Sequence, residues 1–173
     1  MLLETYNPGW KKDFEDLSTV IREALHGLPV SIEHIGSTAV PGLAAKPVID
    51  IDIIFVDRDQ FDPVKNRLEQ AGYLHKGNQG IEDREVFKRS GVGDKHPVLD
   101  FIVHHLYVCV AGSEGLLRHI VLRDHLIENA GARMEYQYLK YAIAGEAGQD
   151  RKQYAQLKEV RTKSFIDAII ARP

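Results

Sequence analysis

Apolar residues recur along the chain at two periods, and the switch between them outlines the fold. Trp10, Phe14, Leu17, Ile21 and Leu25 return at helical spacing. Asn7-Pro8 supplies an N-cap followed by proline at the first helical position, and Gly27 with Pro29 ends the pattern. Residues 30–35 (VSIEHI) form a short strand running into Gly36-Ser37-Thr38. A loop or short helix (AVPGLAAKP) follows, and Val48 to Val56 carries the strongest strand signal of the chain. Residues 60–71 suit a helix closed by Gly72.

Tyr73-Leu74-His75 and a Gly-Asn-Gln-Gly turn then lead to a strand around Glu85–Arg89. A second turn, Gly91–Lys95, opens a long β-rich run from Pro97 to Val110. From Ser113 onward the pattern is helical, over 113–129, 132–147 and 151–170, with breaks near Gly131 and Gly148. Regular strand–helix alternation is missing, so a doubly wound parallel sheet is excluded. The expected fold is α+β: one domain over residues 1–173, with a mixed or antiparallel central sheet flanked by helices and a helical C-terminal part.

Composition removes several classes of function. A hydrophobic share of 44% and a charged share of 27% exclude a disordered, collagenous or coiled-coil chain. A net charge of −3 and a pI of about 6.2 argue against a general nucleic-acid binder. No apolar run approaches the roughly 18 residues that span a bilayer. The N-terminal MLLETYNPGW lacks the basic start and apolar stretch of a secretory signal. Cys109 stands alone, so neither an internal disulfide nor a cysteine zinc site is available. These features predict a soluble cytoplasmic protein. Charge is uneven: residues 1–110 carry a balance of −5 and residues 111–173 a balance of +2. That is either ordinary scatter or an acidic half for cations and a basic half for phosphates.

The sharpest chemical feature is Ile49-Asp50-Ile51-Asp52-Ile53-Ile54. Alternate strand residues share a face, which puts Asp50 and Asp52 on one side, roughly 7 Å apart along the chain. Two carboxylates on so apolar a strand need a partner. A divalent cation such as Mg²⁺ with oxygen ligands supplies one; the alternative is an edge strand whose aspartates face water. Upstream, Gly36-Ser37 after a strand either brings backbone N–H groups and a hydroxyl to a phosphate or forms a simple turn with a serine cap. Twelve residues separate Ser37 from Asp50.

The block from Glu33 to Asp52, EHIGSTAVPGLAAKPVIDID, closely resembles the signature of the GrpB family. Tyr6-x-x-x-Trp10, Arg84 before Phe87, Arg123-Asp124 with Leu126, Tyr138-Leu139-Lys140 and Tyr154-x-x-x-Lys158 extend the resemblance over nearly the whole chain. That family is similar in fold to the polymerase beta-like nucleotidyltransferase superfamily. The resemblance implies that Gly36 and Ser37 hold nucleotide phosphates and that Asp50 and Asp52 bind Mg²⁺ in nucleotidyl transfer from an NTP to a hydroxyl. The alternative is a nucleotide- or phospholigand-binding module with an incomplete metal site.

Superfamily enzymes add a third carboxylate from a neighbouring strand, and Asp100 in Val98–Val103 is the candidate, against a solvent-facing strand aspartate. The family's His-x-His is here His105-Leu106-Tyr107, and strand alternation sets Asp100 on the face opposite His105 and Tyr107. Lys46, Arg84, Arg123, Lys140 and Lys158 either line a groove for an anionic substrate or are surface charges. The histidines at 96, 104, 105, 119 and 125 lack the spacing of a zinc site.

Overall fold

The computed structural model describes residues 2–93 and 95–171; Asp94, inside the expected 91–95 turn, and residues 1, 172 and 173 lie outside it. Helix α1 (Gly9–Ala24) begins one residue later than the sequence pattern suggests, although Asn7 still accepts a hydrogen bond from the Gly9 N–H at 2.9 Å. Strands β1 (Val30–Ile35) and β2 (Ile49–Phe55) follow, with a short 3-10 turn at Ser37–Ala39 between them. After α2 (Phe61–Gln70) come β3 (Tyr73–His75), β4 (Arg84–Arg89) and β5 (His104–Val110). Helices α3 (Glu114–Glu128), α4 (Ala130–Glu146) and α5 (Arg151–Ile170) complete the chain. Each is capped by a side chain: Ser113, Asn129 and Asp150 accept from N–H groups in the first turn.

The sheet is mixed, in the order β1-β2-β5-β4-β3. β2 pairs antiparallel with β1 and parallel with β5, while β4 is antiparallel to both β5 and β3. Its first face is apolar. Ile49, Ile51, Ile53 and Phe55 of β2 meet Trp10, Leu17 and Ile21 of α1 and Val64 and Leu68 of α2, forming the main core. Burying each such side chain is worth about 1.5–3 kcal/mol, which is why this face determines strand register. The second face carries the polar partners of the same strands and is covered by the C-terminal helices.

One expected element is shorter than its sequence pattern. The run from Pro97 forms a strand only from His104; residues 97–103 coil into a helical turn with Phe101 70% and Val103 61% exposed. The turn is stitched locally. His96 Nδ1 accepts from the N–H groups of Val98 and Leu99, and the Asp100 carboxylate accepts from His96 N–H at 2.8 Å. Proline at the start cannot donate to a ladder, and these side-chain acceptors satisfy the backbone that a strand would otherwise pair.

Candidate functional site

Strand register assembles the second face. Asp50 lies beside Ile35 and His105, Asp52 beside Glu33 and Tyr107, and Arg84 beside Cys109. Asp50 and Asp52 therefore share a face, as their spacing predicts. Above Asp50 runs the Gly36 turn, at φ +73°, so close that a Cβ there would meet Asp50 Oδ2 at 2.4 Å. Only glycine fits, and Ser37 opens the short 3-10 turn that follows.

The partners of the two carboxylates are imidazoles. His105 Nδ1 donates to Asp50 Oδ1 at 2.8 Å. His119, reaching down from α3, donates through Nδ1 to Asp52 Oδ2 at 2.9 Å. Asp52 is fully buried, and its second oxygen faces the Cys109 thiol, 3.8 Å away. Burial first, and then the Asp52 charge, push that thiol well above its ordinary range, so Cys109 stays protonated.

A group of cations collects around Asp50. Lys46, Lys140 and Lys158 all feel its carboxylate. Lys46 Nζ lies 4.4 Å from the centre of the Tyr154 ring. Lys140 is 1% exposed, donates to the Ala44 carbonyl and faces the Tyr136 ring. Burial, reinforced by repulsion from Lys158, holds its amine well below the usual lysine range. Half-buried Lys158 is instead held above that range, chiefly by the Tyr136 oxygen. Arg84 stacks over Tyr107, with its guanidinium 5.0 Å from the ring centre. Two buried polar atoms in this region, Arg84 Nε and the Tyr154 hydroxyl, have no hydrogen-bond partner. Orphaned donors beside lysines suit a ligand rich in acceptor oxygens.

Two of the expected site residues are used elsewhere. Asp100 sits on the 97–103 turn and makes a two-pronged ion pair with Arg89 at 2.8 and 2.7 Å, beside Tyr73 at the far end of the sheet. Arg89 is the main reason that the Asp100 carboxyl lies well below its ordinary range. Its carboxylate is paired within this turn and with Arg89, and no third carboxylate joins Asp50 and Asp52 from β5. Arg123 spends its donors on Glu33, on Asp124 and on the His34 carbonyl, and so ties α3 to β1.

Among the described residues, protein side chains alone do not complete a Mg²⁺ centre. Asp52 is sealed with both oxygens engaged, Asp50 is bridged to His105, and the position facing Asp52 on β5 is tyrosine. Among the described residues no three His, Cys, Asp or Glu side chains gather closely enough to hold a metal ion. Mg²⁺ commonly takes only one or two carboxylates and fills its other positions with waters and substrate phosphates, and of this pair only Asp50 keeps an oxygen, Oδ2, without a hydrogen-bond partner among the described residues.

Comparison with known proteins agrees with this architecture. The family profile described as GrpB protein matches residues 1–172. The chain belongs to the GrpB family. It is 30% identical to the glutamate-rich protein GrpB of Alkalihalophilus pseudofirmus, over 98% of this chain and 94% of that protein. It is 29% identical to YqkA of Bacillus subtilis over 89% of this chain, but spans only 43% of that relative's length. The crystal structure of GrpB from Enterococcus faecalis superposes with a TM-score of 0.77 at 28% identity, covering 97% of this chain and 96% of that one. A structure of the Cid1 poly(U) polymerase bound to MgATP matches with a TM-score of 0.57 at 12% identity, over 84% of this chain and 45% of that one. The fold is therefore nucleotidyltransferase-like. Among the described residues, no helix is long and apolar enough to cross a membrane.

Sequence reasoning weighs His119 only as a zinc ligand and misses its pairing with Asp52. The available signal was its spacing, because His119 and Arg123 stand four apart on one helix face and both reach the sheet.

Proposed function

We propose that this GrpB protein works in the cytoplasm, as one domain, by binding a phosphorylated small molecule, a nucleoside triphosphate in the first instance. The ligand lies against the Asp50/Asp52 face of the sheet, on the side of helices α3 to α5. Lys46, Lys140, Lys158 and Arg84 are its phosphate contacts, and the Gly36-Ser37 turn forms the edge. One observation carries this reading. Lys46, Lys140 and Lys158 lie within electrostatic reach of Asp50, near the unpartnered Arg84 Nε and Tyr154 hydroxyl. A polyphosphate answers both features at once.

Binding of this kind does not require a metal. A thermal-shift series with ATP, GTP, CTP, UTP and inorganic tripolyphosphate, each with Mg²⁺ or with EDTA, tests it. A ligand at 100-fold excess over Kd adds about 2.7 kcal/mol of stability. Stabilisation in EDTA is the expected result. No stabilisation by any of the five compounds in either condition overturns the reading.

A second reading, Mg²⁺-dependent nucleotidyl transfer to a hydroxyl, is favoured by the shared face of Asp50 and Asp52 under Gly36. Its mark in the same series is stabilisation by one NTP only when Mg²⁺ is present.

A further inference from the structure

The Asp50/Asp52 pair has a second consequence, independent of any cation. An ionised carboxylate only accepts, so an imidazole nitrogen bonded to it carries the proton. In neutral His119, Nδ1–H points at Asp52 and Nε2 is left with its lone pair. Among the described residues Nε2 has no hydrogen-bond partner. The support beneath it is rigid: the Asp52 side chain is 0% exposed and the His119 side chain only 24%. His105 makes the same contact with Asp50 but is 55% exposed, so it is held less firmly. Tyr107 links the imidazole to the cations. Its ring centre lies 5.5 Å from that of His119, and Arg84 stacks on the same ring.

We propose that His119, oriented by Asp52, is the proton acceptor of the candidate site. The proposal rests on the phospholigand reading above. The partners are a hydroxyl-bearing acceptor and a phosphoanhydride held by Arg84 and Lys158. The O–H bond breaks and its proton passes to His119 Nε2. The hydroxyl oxygen forms a new O–P bond, and the P–O bond to the departing phosphate or pyrophosphate breaks, its electron pair leaving with that group. Asp52 is then a positioning residue: it holds the tautomer and offsets the imidazolium charge as it forms. The aspartate motif of the fold acts through a histidine.

The test separates this pair from the ligand. Long-range ¹H–¹⁵N NMR on the whole chain, labelled at histidine and assigned with His119→Gln, reports which ring nitrogen carries the proton. The expected result is Nδ1–H for His119, shifting toward a mixture in Asp52→Asn. Diethylpyrocarbonate labelling followed by mass spectrometry then reads the accessibility of Nε2. His119 should react, and saturating inorganic tripolyphosphate should slow that reaction at least tenfold. An Nε2–H tautomer, or an inert His119 while other histidines react, overturns the proton-acceptor assignment. The correct tautomer and a reactive Nε2 with no protection by tripolyphosphate overturn the phospholigand reading instead. The wild-type measurements decide both points even where Asp52→Asn fails to fold.

Discussion

Gly36 and Asp50 meet at a distance that no side chain at position 36 permits. The backbone turns at φ +73° and ψ −171°, and a methyl group there would sit 2.4 Å from the carboxylate oxygen. That region of backbone space belongs almost wholly to glycine. Gly36→Ala therefore combines strain with a clash and should cost about 2–4 kcal/mol. Urea unfolding reads the stability. Tripolyphosphate binding should weaken at least tenfold in the same variant, because Asp50 and the turn move apart.

Lys140 separates ligand affinity from stability. Replacement by Met removes a buried amine and leaves the Ala44 carbonyl without its donor, two effects of opposite sign. The ligand-free protein should change by no more than about 1 kcal/mol, whereas tripolyphosphate affinity should fall at least tenfold, or about 1.4 kcal/mol. Calorimetry adds a sign. Burial and Lys158 lower the proton affinity of the Lys140 amine, and a bound phosphate raises it again. Binding should therefore take up protons in wild type, seen as a buffer-dependent heat, and do so less in Lys140→Met.

Asp100 and Arg89 should behave as a structural pair. Their side chains are 11% and 18% exposed, so Arg89→Ala strands a carboxylate and should cost about 3 kcal/mol. The thermal shift given by tripolyphosphate should be unchanged. A lost shift in a still-folded variant would return Asp100 to the ligand site.

His34 gives the fold a pH dependence. Its ring stacks on Phe14 at 4.7 Å, and burial lowers its pKa to about 4. The Thr38 hydroxyl donates to the Val48 carbonyl and so accepts from His34 Nε2–H, a bond either protonation state can make, so the burial of the ring is what favours its neutral form. The unfolded chain binds the proton near pH 6.5, so between about 6.5 and 4 it holds more protons than the folded one. The contribution is complete above pH 6.5 and lost as pH falls to 4, about 3 kcal/mol in all. Denaturant midpoints at pH 7 and pH 4.5 should differ less in His34→Gln than in wild type.

Much of this architecture is local and could be read from the chain alone. Alternation across Ile49 to Ile54 set Asp50 and Asp52 on one face, since a strand's period of two needs no knowledge of its neighbours. Helix periodicity over 113–129, 132–147 and 151–170 placed the C-terminal helices within two residues of their ends, because the period repeats within each helix and needs no distant partner. Gly36 was also legible: a glycine after a strand marks a conformation other residues resist.

What those faces meet was decided in three dimensions. Asp52 takes its partner from 67 residues away, and Arg123 reaches back 90 residues to Glu33. Such pairings depend on how α3 crosses the sheet, which no short window encodes. The 97–103 segment shows the converse. Its apolar composition suits a strand, yet His96 and Asp100 satisfy its backbone locally and Arg89 then claims the carboxylate. Lys140, in sequence either a groove lysine or a surface charge, is buried in the structure, because α4 turns that face toward the Ala44 carbonyl. Spacing fixes which side chains share a face; the free energy of covering that face, with every polar group paired or left open to a ligand, fixes what they do there.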